Sequence, residues 1–222
     1  PVAMVHCNNC SSDLNAWVGL FGEFAQAMGM KADMNALFST LYNKAMEADR
    51  DCGGLLAYNF FSGEHIVGLE EGRPLLVRQP ENKLTLPNFM RAQLYAAMAT
   101  LSIGMDLLWA EDVQVEKLYG HGGLFKTKGV GQRLLAGALG VPVAVMETAG
   151  EGGPWGMALL AAYRKNRAQG ETLPQYLEQR VFAGAAGDCV EPNPADREGF
   201  QRYIARYRAG LAVEKEAGKA LQ

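Results

Sequence analysis

Gly120-His121-Gly122-Gly123 closes an apolar run and opens a helical one. A glycine pair at such a handover lets backbone N–H groups approach a phosphate or ribose with no Cβ in the way, at the positive end of a helix dipole. A second cluster, Gly150-Glu151-Gly152-Gly153, stands before the helical stretch 156–163. A tight strand-to-helix turn with nothing bound needs glycine too. The repeated device, with Lys126, Thr127 and Lys128 beside the first copy, points to phosphate or nucleotide handling. Neither turn is a Walker loop, since no Gly-Lys-Ser/Thr follows four variable residues, and the spacing fails the dinucleotide fingerprint. A β-branched side chain at Gly123 is expected to intrude on a bound ribose or adenine and to resist a positive φ.

Other reactive residue types are sparse. Cys7-Asn8-Asn9-Cys10 has the spacing of half a zinc site or of a redox pair, yet Cys52 and Cys189 stand alone, so unremarkable free thiols are expected. His6, His65 and His121 are the only histidines, and no histidine-based metal site is expected from their spacing. Glu64, Glu70 and Glu71 could be catalytic carboxylates, but solvated loop acids are the ordinary reading. No serine stands in a Gly-x-Ser-x-Gly elbow. The chain therefore offers a binding turn and no acid–base pair, and no catalytic residue is assigned within it.

The elements that must carry these residues follow from apolar spacing. Leu14, Trp17, Val18, Phe21, Phe24, Ala25 and Met28 predict a helix with Ser12 or Asp13 as N-cap and Gly29 as a stop. Asp33 precedes a second stripe, Leu37, Phe38, Leu41, Tyr42 and Ala45, that ends before Asp49. Residues 53–87 read as strand and loop, and residues 88–110, apolar on nearly every side, as a central core helix. Strands over 113–119 and 141–146 alternate with helices over 129–139 and 156–166, which implies parallel pairing with helices against the sheet. A short helix over 173–182, a loop over 191–194 and a C-terminal helix through Phe200, Ile204, Tyr207 and Leu211 complete the chain.

With 222 residues, 49% hydrophobic and 20% charged, one globular domain is expected, two small ones being possible. A formal charge of −3 with scattered Lys and Arg leaves no basic footprint for nucleic acid or an anionic membrane. No apolar run reaches the ~20 residues that span a bilayer. Four cysteines and ten methionines fit a reducing cytoplasm.

Six segments, in order, resemble the C-terminal domain of the FGGY carbohydrate kinases, most closely the xylulokinase and ribulokinase branch. Trp17 sits like the tryptophan of the early helix. Gly54-Leu55-Leu56 followed by Phe61-Ser62-Gly63-Glu64 resembles the family's single Gly-Leu-Leu and Ser-Gly-Glu-Arg segment, with His65 replacing the arginine. Arg91-Ala92 resembles the Arg-Ala that opens the long helix, with Tyr95 where a glutamate is common. Gly122-Gly123 resembles the adenosine-binding motif, with Thr127 in the place of an Asn or Ser that contacts nucleotide. The strand over 141–145 and Gly156-Met157-Ala158 match the segments that follow.

The resemblance implies an α/β, ribonuclease-H-like (actin-like ATPase) lobe with a mixed sheet flanked by helices. It implies ATP and Mg2+ as cofactors and transfer of the γ-phosphoryl group to a sugar hydroxyl, that of a ketopentose such as xylulose or ribulose. The catalytic aspartate and the Gly-Thr phosphate hairpin would belong to a second, N-terminal lobe that also holds the sugar. In this chain the nucleotide would meet Gly122, Gly123 and Thr127, with Ser12 and Asn15 of the first helix on the other wall. A non-catalytic ATP-binding regulatory module of the actin-like superfamily is the alternative reading. A homodimer is compatible with either.

Overall fold

The computed structural model describes residues 4–31, 33–146, 152–183 and 187–221. Its centre is α3, Leu86–Ala110, whose residues from Asn88 to Thr100 are all buried. Thr85 caps it by accepting from the Asn88 N–H, and Pro87 occupies the first turn, where its missing N–H costs nothing. The all-round apolar pattern expected of a core helix is what α3 shows: α1 (Ser12–Ala27), α2 (Met34–Lys44), α4 (Val130–Leu139), α7 (Pro194–Ala220) and β1 (Leu56–Tyr58) all pack on it. Aromatic rings seal the α3–α7–β1 seam, where the Tyr203 hydroxyl lies 3.3 Å from the carbonyls of both Ala57 and Ala92.

Two small sheets serve different ends. β1 pairs antiparallel with β2 (Leu75–Val77). In the other sheet β3 (Leu118–Gly120) runs parallel to β4 (Val143–Val145), as the strand–helix–strand order requires, and β5 (Asp188–Val190) adds antiparallel on the far side of β4. Both expected strands are shorter than their apolar runs. Residues 113–117 lie outside the ladder, whose partner β4 is only three residues long.

Several element boundaries differ from the sequence expectation. α5 begins at Gly152 rather than at residue 156, with Pro154 in its first turn. The short helix α6, Leu173–Tyr176, starts on a capping box between Thr172 and Gln175 and runs into a π turn, Leu177–Val181. α7 starts at Pro194, in the stretch expected as loop, because the Asn193 side chain accepts from the N–H groups of Ala195 and Asp196.

Among the described residues no helix is long and apolar enough to cross a membrane.

Candidate functional site

β3 ends at Gly120, and the chain then turns through His121 and Gly122 into a 3-10 turn, Gly123–Phe125. The Phe125 ring lies against Gly120, where a Cβ would stand 2.6 Å from its Cε1, so that ring pins the turn to the strand. The Phe125 N–H donates to the Gly122 carbonyl at 3.1 Å and the Lys126 N–H to the Gly123 carbonyl at 3.2 Å. Gly129 then enters α4 in the left-handed conformation, and no side chain caps the helix. Its N-terminus is held from below instead. The buried Gln132 donates to the Asp188 carbonyl at 2.7 Å, and Lys128 pairs with the Asp188 carboxylate at 3.0 Å on the surface.

The glycines of this turn divide by cause. Gly131 is a packing glycine, since a Cβ there would stand 2.6 Å from the Leu124 carbonyl oxygen. Gly122, at φ 96° and ψ −175°, occupies a region essentially reserved for glycine. Gly123 has no such reason: it lacks a positive φ, and a Cβ on it would meet no atom within 4 Å. The expected positive φ at Gly123 therefore belongs to its neighbour Gly122. What the bare Gly123 provides is an open face of backbone that a planar group or ribose could approach.

Gly122, Gly123 and Thr127 share this turn, with Thr127 half-buried and its carbonyl accepting from Val130 at 3.3 Å. Ser12 and Asn15 sit elsewhere, exposed and one turn apart at the start of α1. No hydrogen bond among the described residues joins α1 to the turn; each packs through its own helix on α3. The N-cap of α1 is Ser11, without a side-chain bond, rather than Ser12 or Asp13. Asp13 is instead buried and accepts from the Trp17 indole at 2.9 Å; burial pushes its pKa up and that bond opposes the shift. The remainder of the second glycine cluster is only partly visible: Gly152 and Gly153 form the first turn of α5, while Gly150 and Glu151 lie outside the described residues.

Glu64 departs from the solvated-acid expectation, whereas Glu70 and Glu71 are exposed as expected. It is fully buried, and its Oε2 accepts from the N–H groups of Asn8 and Asn9 at 2.8 and 3.1 Å. The Asn9 amide oxygen in turn accepts from Phe61 and Ser62 at 2.9 and 3.2 Å, so the Ser-Gly-Glu segment is an anchor for the N-terminal chain. Cys7 and Cys10 flank this anchor as free thiols. Burial and the nearby Glu64 push Cys7 up to about 11. Among the described residues no three His, Cys, Asp or Glu side chains gather as a metal site.

The family model described as the FGGY family of carbohydrate kinases, C-terminal domain, matches residues 1–164. Among solved structures, a xylulose kinase from Rhodospirillum rubrum superposes with a TM-score of 0.68 at 19% identity, over 93% of this chain and 38% of that one. A gluconate kinase from Lactobacillus acidophilus gives 0.65 at 18%, over 92% and 39%. A glycerol kinase from Plasmodium falciparum, solved with ADP, gives 0.60 at 16%, over 88% and 36%. No curated protein matches the chain. These likenesses show the fold, the expected ribonuclease-H-like, actin-like ATPase lobe. The chain spans 36–39% of the length of these three structures.

Proposed function

The chain belongs to the FGGY family of carbohydrate kinases, and we propose that it is the nucleotide-binding lobe of a cytoplasmic enzyme that phosphorylates a ketopentose such as xylulose or ribulose. The observation that carries the nucleotide reading is Gly123: neither conformation nor packing within the chain asks for a glycine there, and its bare backbone faces open space. Gly122 supplies the sharp reversal that presents it, and Thr127 offers a hydroxyl for ribose or base.

ATP brings the transferable γ-phosphoryl group. The chain's contribution is to hold the adenosine end at a turn fixed by Phe125 and Gln132. Mg2+ would travel on the ATP phosphates, since no cluster of metal ligands occurs among the described residues. The proton acceptor for the sugar hydroxyl is assigned to a second lobe. The fully or nearly buried carboxylates here already have partners: Asp13 holds Trp17, Glu64 holds Asn8 and Asn9, Asp196 is ion-paired, and Glu214 accepts from the Arg73 N–H at 2.6 Å. Positioning dominates phosphoryl transfer, and one lobe cannot both exclude water and align the acceptor. The likeness to xylulose kinases supports the ketopentose.

The test pairs calorimetric titration of ADP into the 222-residue chain with a coupled ADP-release assay on xylulose and ribulose. Weak ADP binding without sugar-dependent turnover is expected. Absence of ADP binding would overturn the nucleotide reading, and turnover by this chain would overturn the two-lobe division. The two-lobed enzyme, given a panel of ketoses, polyols and aldonates, should prefer a ketopentose; preference for glycerol or gluconate would overturn that assignment.

A further inference from the structure

The pleat of the β3–β4–β5 sheet sends alternate side chains to opposite faces. Leu118 and Val143 join the core on the α4 side. Tyr119, Ala144 and Cys189, aligned across the three strands, point the other way, into a groove of about 1100 Å³. Its second wall is helical: Trp155, Leu159 and Leu160 of α5, then Leu177 and Phe182 beyond α6. The Trp155 and Phe182 rings meet edge-to-face at 5.7 Å. The groove has two facing walls and the volume of a small-molecule site, and Gly122, Gly123 and Thr127 do not line it.

Charge in the groove is uneven. Lys117, just before β3, and His121, just after it, border the groove on either side of Tyr119. Lys128 has its carboxylate in Asp188, but Lys117 has no carboxylate partner among the described residues. Among the described residues of the lining Glu178 is the one acid, and it stands on the helical wall, where it disfavours a second negative group. The stretch between is mostly apolar, with the Tyr119 hydroxyl and the Trp155 indole N–H as its few neutral hydrogen-bonding groups, and one lysine with one histidine is too little for a triphosphate.

We propose that this groove is a binding site for an aromatic monoanion, its carboxylate or sulfonate at Lys117 and its rings between Ala144 on the sheet wall and Trp155, Leu160 and Phe182 on the helical wall. The site meets the nucleotide turn only at His121 and does not rest on that reading.

The probe is 2-naphthoate, titrated by calorimetry into the full chain. Gly156 lines the groove, and a Cβ on it meets nothing within 4 Å, so Gly156→Leu projects a branched side chain from α5 into the site. That variant should fold as well as the parent and lose affinity about tenfold or more. Lys117→Met, and the neutral 2-naphthamide on the parent chain, should each show a loss of about tenfold from the missing charge-assisted contact. Saturating ADP should leave naphthoate affinity unchanged. No binding at millimolar naphthoate, parental affinity in either variant, or competition by ADP would each overturn the proposal. Retained naphthoate binding in a chain that fails to bind ADP would count against the nucleotide reading alone.

Discussion

Arg91 and Asp196 stand 105 residues apart in sequence and 3.3 Å apart in space, and neither side chain reaches solvent. Asp196 sits in the first turn of α7, where helix N–H groups favour a carboxylate. Its other contacts are Arg50 at 2.6 Å and Arg133 of α4 at 2.8 Å, both partly exposed. The excess positive charge is eased by water at those two arginines, and by the Ala48 carbonyl and Tyr95 ring beside Arg91. This knot locks α3, α4 and α7 together, and α4 carries the candidate turn at its N-terminus. The Arg-Ala segment thus supports the site from behind.

Asp196→Ala should cost about 3–5 kcal/mol, because it strands a buried guanidinium without its counter-charge. Arg50→Ala should cost less, about 1–2 kcal/mol, since Asp196 keeps Arg91 and Arg133 as partners. Urea unfolding of the two variants reads the difference, and equal small losses would show that the knot is not a cooperative support.

Gly122 and Gly123 should respond differently to substitution. Gly122→Ala forces a side chain into a glycine-only region and should cost about 1–3 kcal/mol of stability. Gly123→Val should leave stability within about 0.5 kcal/mol, having neither strain nor clash to answer. It should still weaken ADP binding about tenfold. Thermal unfolding alongside ADP titration separates the two effects, and unchanged ADP affinity in Gly123→Val would remove that residue from the site.

Cys7 should resist alkylation. With its thiol held up to about 11 against the usual 9.0, the reactive thiolate is scarce at pH 8. Iodoacetamide labelling followed by peptide mass spectrometry should show exposed Cys189 modified first and buried Cys52 last. Cys7 should gain reactivity only as pH climbs toward 11. Rapid labelling of Cys7 at pH 8 would contradict this environment.

Asp13 gives a pH signature. Its folded pKa is raised above the usual 3.8 by burial, so protonation favours the fold. Its contribution to stability is greatest below 3.8 and is lost as pH rises through the folded value. Asp13→Asn keeps an acceptor for Trp17 and removes the charge, so the melting temperature of the variant relative to the parent should increase from pH 4 to pH 7. A difference that stays flat or falls would contradict the burial account.

Much of this fold is legible in the sequence because apolar spacing reports which faces are buried. Leu14, Val18 and Ala25 place α1, and the unbroken apolar run places α3 at the centre. The start of α7 falls in the stretch expected as loop, although Asn193-Pro194, a cap followed by proline at the first helical position, carries its signal. Thr172 and Gln175 announce α6 by the same chemistry. Buried polar residues are a different matter. Asp13, Glu64, Gln132 and Asp196 look solvated in a one-dimensional reading, since the partners that license their burial come from distant segments. Gly122 and Gly123 are visible as a pair, but only backbone geometry tells the turn-forming glycine from the open one.

The central claim is that nucleotide meets this chain at the turn between β3 and α4. Amide chemical-shift mapping on 15N-labelled chain titrated with ADP tests it most directly. The largest perturbations should fall on Gly122, Gly123 and Thr127 and on the first turn of α4, with Tyr119 and Trp155 of the groove unmoved. Saturable shifts confined to other surfaces, with those three amides unchanged, would contradict the account.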